Sequence, residues 1–191
     1  MPFLQILTRC YKRPQLLLAN ISSLVAMTDP DWVQTCLIDN VGRGIGWSYT
    51  NMAAHAPLLR GEYIWILDDD DVCIRPTLVA ELKQIVDDKR PDVIDDKRPD
   101  VIMVRMHHGP LGVMPDGATW EQPPQQAHIG CSAFVVRREV WQQHAGAFGD
   151  HYAGDFDFIA AVFASGANVY WHDVIASRVQ CISQGKAEKC L

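Results

Sequence analysis

Short apolar runs alternate with stretches of helical spacing through the first half of the chain. Strands are predicted at the apolar runs 3–7, 32–38, 63–67 and 101–106. Helices are predicted between them at 14–26, 49–59 and 76–86. Residues 63–67 are apolar throughout, which predicts a strand buried on both faces. Strands separated by helices are typical of βαβ units. The pattern therefore predicts an α/β fold with a mainly parallel central sheet.

The second half begins with a change of composition. Residues 107–128 are dominated by Gly, Pro, Gln and His, which predicts a long surface loop of the kind that often carries function. Further strands are predicted at 131–136 and 168–171, and helices at 138–145 and 155–165. With 191 residues, the chain can form one sizeable core but not two comfortable domains. We expect one domain over 1–179, followed by a polar tail at 180–191.

One segment is duplicated. Residues 87–94 recur unchanged as 95–102. Eight residues are too few for a repeat architecture, and loop closure becomes only slowly more costly with length. We interpret the duplication as a longer loop between a helix and its following strand.

Charge and apolar content exclude several classes. The net charge of −6 argues against a nucleic-acid partner. A diphosphate stays possible if a metal stands between carboxylate and phosphate oxygens. No apolar run is long enough for a transmembrane segment, and residues 1–7 lack the features of a signal peptide. We expect a cytoplasmic protein.

The cysteines do not form a recognisable pattern. They stand at positions 10, 36, 73, 131, 181 and 190, without a Cys-x-x-Cys pair. A disulfide framework or a thiolate zinc site would need closer spacing. We therefore expect reduced cysteines that fill small apolar gaps.

Polar side chains follow the first three predicted strands. Thr8 and Arg9 end the first, Asp39 and Asn40 the second, and Asp68 to Asp71 the third. Ligands of open α/β sheets bind beyond the carboxyl ends of the strands, so these residues should line one crevice. Four adjacent aspartates raise one another's pKa unless a cation is present, and their hard oxygens suit Mg²⁺ or Mn²⁺. The alternative is a purely structural role, as a solvated acidic turn that caps the next helix.

Two other aspartate motifs have a similar spacing to this run. A helix-loop-helix calcium site needs Gly and Glu where Cys73 and Val79 stand, counting from Asp68, so it is excluded. The pair Asp69 and Asp71 is similar to the nucleophile and acid of haloacid-dehalogenase-like phosphatases. Those residues normally follow the first strand, whereas these follow the third. The phosphatase is kept as a weaker alternative.

Five segments in order resemble the glycosyltransferases of the GT-A fold, specifically the large inverting family 2. They are 6–14 (ILTRCYKRP), 37–40 (LIDN), 61–71 (GEYIWILDDDD), 130–141 (GCSAFVVRREVW) and 152–158 (YAGDFDF). The similarity covers roughly 3–179. It implies a nucleotide-binding half at about 1–106 and an acceptor half at about 107–179.

The resemblance implies a role for each matched residue. Nucleotide binding is assigned to Thr8, Arg9, Asp39, Asn51, Asp68 and Asp69. Asp70 is the implied ligand of Mn²⁺ or Mg²⁺, and Asp155 the general base that takes the acceptor's proton. The implied donor is a UDP- or GDP-sugar, with UDP favoured by family habit. The acceptor is a hydroxyl of a saccharide or another molecule.

The chain also departs from the family pattern. Gly154 replaces the acidic residue that usually precedes the base. Pro76 lies one residue further from the aspartate run than expected, which leaves Asp71 as an alternative metal ligand. The family's late His is absent, so His172 is either a substitute ligand or structural. Trp120, in the 107–128 loop, is a candidate for acceptor contact, whereas Trp141 and Trp171 fit a core pattern.

Two alternatives share the nucleotide-binding architecture. A sugar-nucleotide pyrophosphorylase needs a Gly-rich loop after the first strand, and residues 8–14 contain no Gly. A catalytically weak module would bind nucleotide or glycan without turnover, which Gly154 makes conceivable.

Overall fold

The structure is a computed structural model that describes residues 1–88 and 98–180. The predicted loop at the duplication lies largely outside the described residues. So does the predicted tail from residue 181 onward.

The described residues form eight strands and five α-helices. The strands are β1 (Leu4–Cys10), β2 (Trp32–Ile38), β3 (Tyr63–Ile66), β4 (Asp71–Cys73), β5 (Val101–His107), β6 (Val113–Met114), β7 (Phe134–Arg137) and β8 (Val169–Val179). The helices are α1 (Pro14–Val25), α2 (Ile45–Ala54), α3 (Leu78–Asp88), α4 (Arg138–His144) and α5 (Gly154–Ala164). All the predicted elements are present, and the short strands β4 and β6 were not predicted.

One mixed sheet runs through the domain in the order β2-β1-β3-β7-β5-β8-β4, with β6 paired to β5. β1 is parallel to β2 and β3, and β5 is parallel to β8. β7 runs antiparallel to both β3 and β5. The α/β prediction is confirmed, and the sheet is mixed, with parallel pairs at β1 and β5–β8 and antiparallel pairs around β7. No α-helix separates β5 from β7, whereas parallel neighbours are usually joined by a helical crossover.

Apolar side chains pack on both faces of the sheet. On β3, Tyr63 and Trp65 join the cluster that contains Leu82 of α3. Ile64 and Ile66 point to the other cluster, which includes the aromatic rings of helices α4 and α5. All four β3 residues are fully buried, as their apolar run predicted. Burying each large apolar side chain contributes about 1.5–3 kcal/mol. This burial holds β3, and with it the start of the aspartate run, in a fixed position.

Four cysteines are described, and all are free: Cys10, Cys36, Cys73 and Cys131. Three of them are buried, which agrees with the expectation of reduced, gap-filling thiols. Among the described residues, no helix combines the length and the apolar character that a membrane span requires.

Candidate functional site

The aspartate run leaves β3 and turns at once into β4. The backbone N–H of Asp71 donates to the carbonyl of Asp68 at 2.9 Å. The side-chain amide of Asn20, on α1, donates to the carbonyls of Asp68 and Asp71, both at 2.9 Å. Gln34 in turn donates to Oδ1 of Asn20 at 2.7 Å. Sequence reasoning missed Asn20, although a polar residue between Leu16 and Leu24 on a buried helix face was the available signal.

Arg9 lies beneath the start of the run. Its Nε donates to Oδ1 of Asp68 at 2.7 Å, and its Nη2 donates to the other carboxylate oxygen. The same Nη2 is 3.2 Å from Sγ of Cys131, and the guanidinium lies 4.5 Å from the centre of the Tyr49 ring. Burial works to lower the pKa of Arg9, but the neighbouring Asp68 carboxylate holds it well above its usual value. Arg9 is thus a permanent cation inside the site.

Arg13 holds the middle of the run. Its Nη1 donates to Oδ2 of Asp70 at 2.6 Å. Its Nε and Nη2 both donate to the carboxylate of Asp69, which also accepts the backbone N–H of Tyr11 at 3.0 Å. The carboxylates are therefore compensated by guanidinium groups and not by water alone. This arrangement contradicts the interpretation of the run as a solvated acidic turn.

Asp71 is more deeply buried than Asp70. It is 5% exposed, and its carboxyl group is hydrogen-bonded to the side chain of Ser132. Burial, together with the charges of Asp68 and Asp70, raises its pKa well above the usual value. Asp70, by contrast, keeps 19% of its side chain exposed. Of the two candidate metal ligands, Asp70 is the one that a ligand in the crevice can reach.

Asp155 stands in the first turn of α5, on the far side of Arg9. The thiol of Cys131 lies 3.6 Å from its Oδ2, and the backbone N–H of Phe156 donates to its Oδ1 at 2.9 Å. Burial raises the pKa of Asp155. Because Cys131 contacts both Arg9 and Asp155, and Arg9 contacts Asp68, the ends of β1 and β3 and the start of α5 lie close together. Cys131 was quoted in a motif but not predicted as a site residue.

The missing acidic residue at position 154 has a steric explanation. A Cβ atom added to Gly154 would stand 2.3 Å from the carbonyl oxygen of Phe148 and 2.8 Å from the ring of Tyr49. The place of a longer side chain is therefore taken by Tyr49, which stacks on Phe148 and faces Arg9. The local packing around Asp155 therefore leaves no room for a side chain at position 154.

The remaining predicted nucleotide-binding residues have distinct surroundings. Both carboxylate oxygens of Asp39 accept backbone N–H groups, from Val41 and Gly42 at 2.9 Å and from Arg43 at 2.6 Å. Burial works to raise the pKa of Asp39, but these three bonds hold it below its usual value. Asp39 therefore shapes the loop that follows β2.

Thr8 and Asp69 are buried, and Asn51 lies on another face of α2 from Tyr49. Thr8 is fully buried, and its hydroxyl accepts a hydrogen bond from Gln34 at 2.8 Å. Asp69 is also fully buried, against Arg13. Asn51 is half-buried and lies two residues after Tyr49 on α2, about 200° around the helix axis. The structure thus joins Thr8 and Asp69 to the framework beneath the crevice, but Asn51 is not on the Tyr49 face.

Two further candidates lie apart from the run. His172 on β8 pairs with Glu81 of α3, at 2.8 Å between Nε2 and Oε2, which favours a structural role. Trp120 packs edge-on against Trp171, with ring centres 4.9 Å apart, and beneath the guanidinium of Arg105. Trp141 is fully buried and Trp171 packs against the same core, as predicted.

The residues of the run have the chemistry that a divalent cation requires. Within 1–88 and 98–180, no group of three or more His, Cys, Asp or Glu side chains is arranged to hold a metal ion. Mg²⁺ and Mn²⁺ nevertheless take one or two protein carboxylates together with phosphate and water oxygens. Asp70 offers a reachable carboxylate of this kind, so the residues fit such a cation in the presence of a diphosphate.

The fold has clear counterparts among solved structures. One is Staphylococcus aureus TarS (residues 1–349) in complex with UDP, with a TM-score of 0.72 and 11% identity over 94% of this chain. The same protein in complex with UDP-GlcNAc matches with a TM-score of 0.64 at 12% identity over 98% of this chain. A third is the mannosyltransferase PcManGT from Pyrobaculum calidifontis, in complex with GDP-Man and Mn²⁺, at 0.60 and 12% identity over 96% of this chain.

These counterparts are longer proteins. The chain spans about 60% of the TarS chains and 58% of PcManGT. No protein-family model matches the chain, and no curated protein matches its sequence. At 11–12% identity the likeness establishes the fold, an α/β domain with a mixed sheet like that of GT-A glycosyltransferases.

Proposed function

We propose that the chain transfers a sugar from a nucleotide diphosphate donor to an acceptor hydroxyl, as an inverting, metal-dependent glycosyltransferase of family 2. The observation that carries this proposal is the series of contacts from Asp68 through Arg9 and Cys131 to Asp155, with Asp70 two residues after Asp68. The folds of TarS and PcManGT support it, since those structures hold UDP, UDP-GlcNAc and GDP-Man. UDP is favoured over GDP as the nucleotide.

Each residue has a chemical task in this proposal. Asp68 contacts the ribose and Asp39 contacts the nucleoside, whereas Asn51, on another face of α2 from Tyr49, is given no contact. Thr8, Arg9 and Asp69 support the site without contacting the nucleotide. Thr8 and Asp69 are buried, and Arg9 fixes Asp68 by two hydrogen bonds. Asp70 is the ligand for Mn²⁺ or Mg²⁺, which when bound neutralises charge on the departing diphosphate.

Asp155 is the proposed general base. It is half-buried, and its two oxygens contact the Cys131 thiol and the Phe156 N–H, so its orientation is set before an acceptor arrives. Burial raises its pKa, which makes it a better proton acceptor than an ordinary aspartate. A single displacement with a base on the acceptor side inverts the anomeric configuration and needs no covalent intermediate on the protein.

The phosphatase alternative requires an accessible aspartate nucleophile. Asp69, the residue in that position, is fully buried and bound by Arg13 and the Tyr11 N–H. Asp71, the matching acid, is buried against Ser132. This geometry disfavours nucleophilic attack on a phosphate.

A catalytically weak binding module is the second candidate. The observation in its favour is that Asp68, Asp69 and Asp70 are all paired with guanidinium groups. It would bind nucleotide without transferring or hydrolysing the sugar.

The test is calorimetric titration of UDP and GDP, each with and without Mn²⁺, into the wild type and Asp70→Ala. Asp173→Ala is the control, because Asp173 is an exposed carboxylate paired with Arg105. We expect metal-dependent binding of UDP that Asp70→Ala abolishes and Asp173→Ala keeps. Slow hydrolysis of a matching sugar donor would then distinguish the enzyme from the binding module. Absence of nucleotide binding under every condition would refute the proposal.

A further inference from the structure

We propose that the Arg13 guanidinium occupies the cation position of the aspartate run, so that a divalent cation reaches Asp70 only by displacing it. This inference rests on the proposed function, because it concerns the same carboxylate. It goes further in assigning Arg13 the role of a competing internal cation that makes metal binding depend on the nucleotide.

The geometry around Arg13 supplies the first argument. Nη1 of Arg13 lies 2.6 Å from Oδ2 of Asp70, in the position that a cation bound to this oxygen would take. The other nitrogens of the same group hold Asp69, so one guanidinium spans two neighbouring carboxylates. A metal bound to Asp70 in this arrangement would meet a fixed positive charge within a few ångströms, which opposes its binding.

The two arginines of the site differ in their freedom to move. Arg9 is enclosed by Asp68, Cys131 and Tyr49, and its side chain is 10% exposed. Arg13 stands immediately before α1, and its side chain is 23% exposed. Arg13 can therefore swing off Asp70 toward solvent without opening the core, whereas Arg9 cannot. The exchangeable cation is Arg13.

A diphosphate makes this exchange favourable. It brings oxygens that both the metal and the released guanidinium can bind, since arginine is well suited to phosphate. The metal alone offers Arg13 no new partner. We therefore expect Mn²⁺ to bind weakly by itself and more tightly with UDP, and the difference should depend on Arg13.

The experiment is calorimetric titration of Mn²⁺ alone into the wild type, Arg13→Gln, Arg13→Lys and Lys83→Gln. Lys83 pairs with Asp29 and Asp31 beside the amino end of β1, so Lys83→Gln removes one positive charge at the other end of β1 from Arg13. Arg13→Gln should tighten Mn²⁺ binding at least about tenfold, which corresponds to 1.4 kcal/mol. Arg13→Lys keeps the charge but loses the guanidinium that spans two carboxylates. Its Mn²⁺ affinity should lie between those of the wild type and Arg13→Gln. Lys83→Gln should match the wild type.

Two further measurements separate the possible outcomes. The double variant Arg13→Gln with Asp70→Ala should lose the added Mn²⁺ affinity, which would assign it to Asp70. In the wild type, the ¹⁵Nε–H signal of Arg13 should shift when Mg²⁺ and UDP are added together and stay unchanged with Mg²⁺ alone.

Contrary results are equally specific. If Mn²⁺ binds the wild type and Arg13→Gln equally, while UDP binding stays metal-dependent, the Arg13 inference is wrong and the proposed function stands. If UDP binds without metal and Arg13→Gln abolishes that binding, Arg13 replaces the metal permanently and is not displaced. If neither Mn²⁺ nor UDP binds to any variant, both proposals fail.

Discussion

Arg9 and Asp68 are 59 positions apart in the chain and are joined by two hydrogen bonds, from Nε to Oδ1 at 2.7 Å and from Nη2 to Oδ2. The pair ties the end of β1 to the segment that follows β3. Its guanidinium also touches Cys131, which leads to Asp155. This part-buried ion pair thereby fixes the position of Asp68 relative to Asp155, the proposed base.

Replacing Arg9 should be costly to stability. Arg9→Met keeps much of the side-chain volume but leaves the Asp68 carboxylate partly buried without its partner. Loss of one member of such a pair costs about 3 kcal/mol. Lys83→Met is the control, since its ion pairs with Asp29 and Asp31 are more exposed and should contribute at most about 1 kcal/mol. Urea unfolding of both variants gives the comparison, and equal losses would contradict a special role for the Arg9 pair.

Replacing Asp155 should separate binding from catalysis. Asp155→Asn cannot accept the acceptor's proton, so the transfer rate should fall by about 10²- to 10⁴-fold while donor affinity is kept. Asp157→Asn is a matched control in the same helical turn, because Asp157 instead pairs with the exposed His151. Initial rates and donor titrations measure the two effects. Normal turnover by Asp155→Asn would exclude it as the base.

Gly154 should not tolerate a side chain. Gly154→Ala places a methyl group 2.3 Å from the Phe148 carbonyl oxygen, and such overpacking costs about 1–3 kcal/mol. Gly146 has no atom within 4 Å of the same added group. Gly146→Ala should therefore change the free energy of unfolding by no more than about 0.5 kcal/mol. Thermal or urea unfolding provides the measurement, and an unaffected Gly154→Ala would show that the loop near Phe148 yields easily.

Asp71 should make the folded state less stable as the pH rises. Its folded-state pKa is raised by burial and by Asp68 and Asp70, so above about pH 4 the folded state holds more protons than the unfolded state. Stability from this group therefore falls as the pH increases toward the raised pKa. Asp71→Asn removes the effect. Its free energy of unfolding should therefore increase relative to that of the wild type between about pH 4 and 7.

The pH dependence of stability should be opposite for Asp116, whose folded-state pKa is lowered. Hydrogen bonds from Thr119 lower the pKa of Asp116, so its contribution is present above about pH 4 and disappears as the pH falls through the lowered pKa. Asp116→Asn should lose stability at neutral pH. Urea unfolding at several pH values tests both, and a parallel pH dependence of the two variants would contradict the assignment.

The sequence by itself determined the order of the elements. Apolar spacing predicted β2 at its observed bounds and placed Asp68 to Asp71 directly after the buried strand β3. This succeeds because periodicity and burial of one segment are local properties, visible within a window of a few residues. It failed for β4 and for most of β8, where three residues or half-exposed polar positions give no clear alternation.

Only the tertiary structure decided the direction of β7 and the partners of the acidic side chains. Cys131 lies 122 positions from Arg9 and 24 from Asp155, and nothing in the local pattern pairs them. Arg13 was part of the quoted segment 6–14, yet its bonds to Asp69 and Asp70 form only when β1 and β3 lie side by side. Charges and thiols that are distant in sequence acquire their roles from packing, because electrostatic interactions act over ångströms in space and leave no periodic trace along the chain.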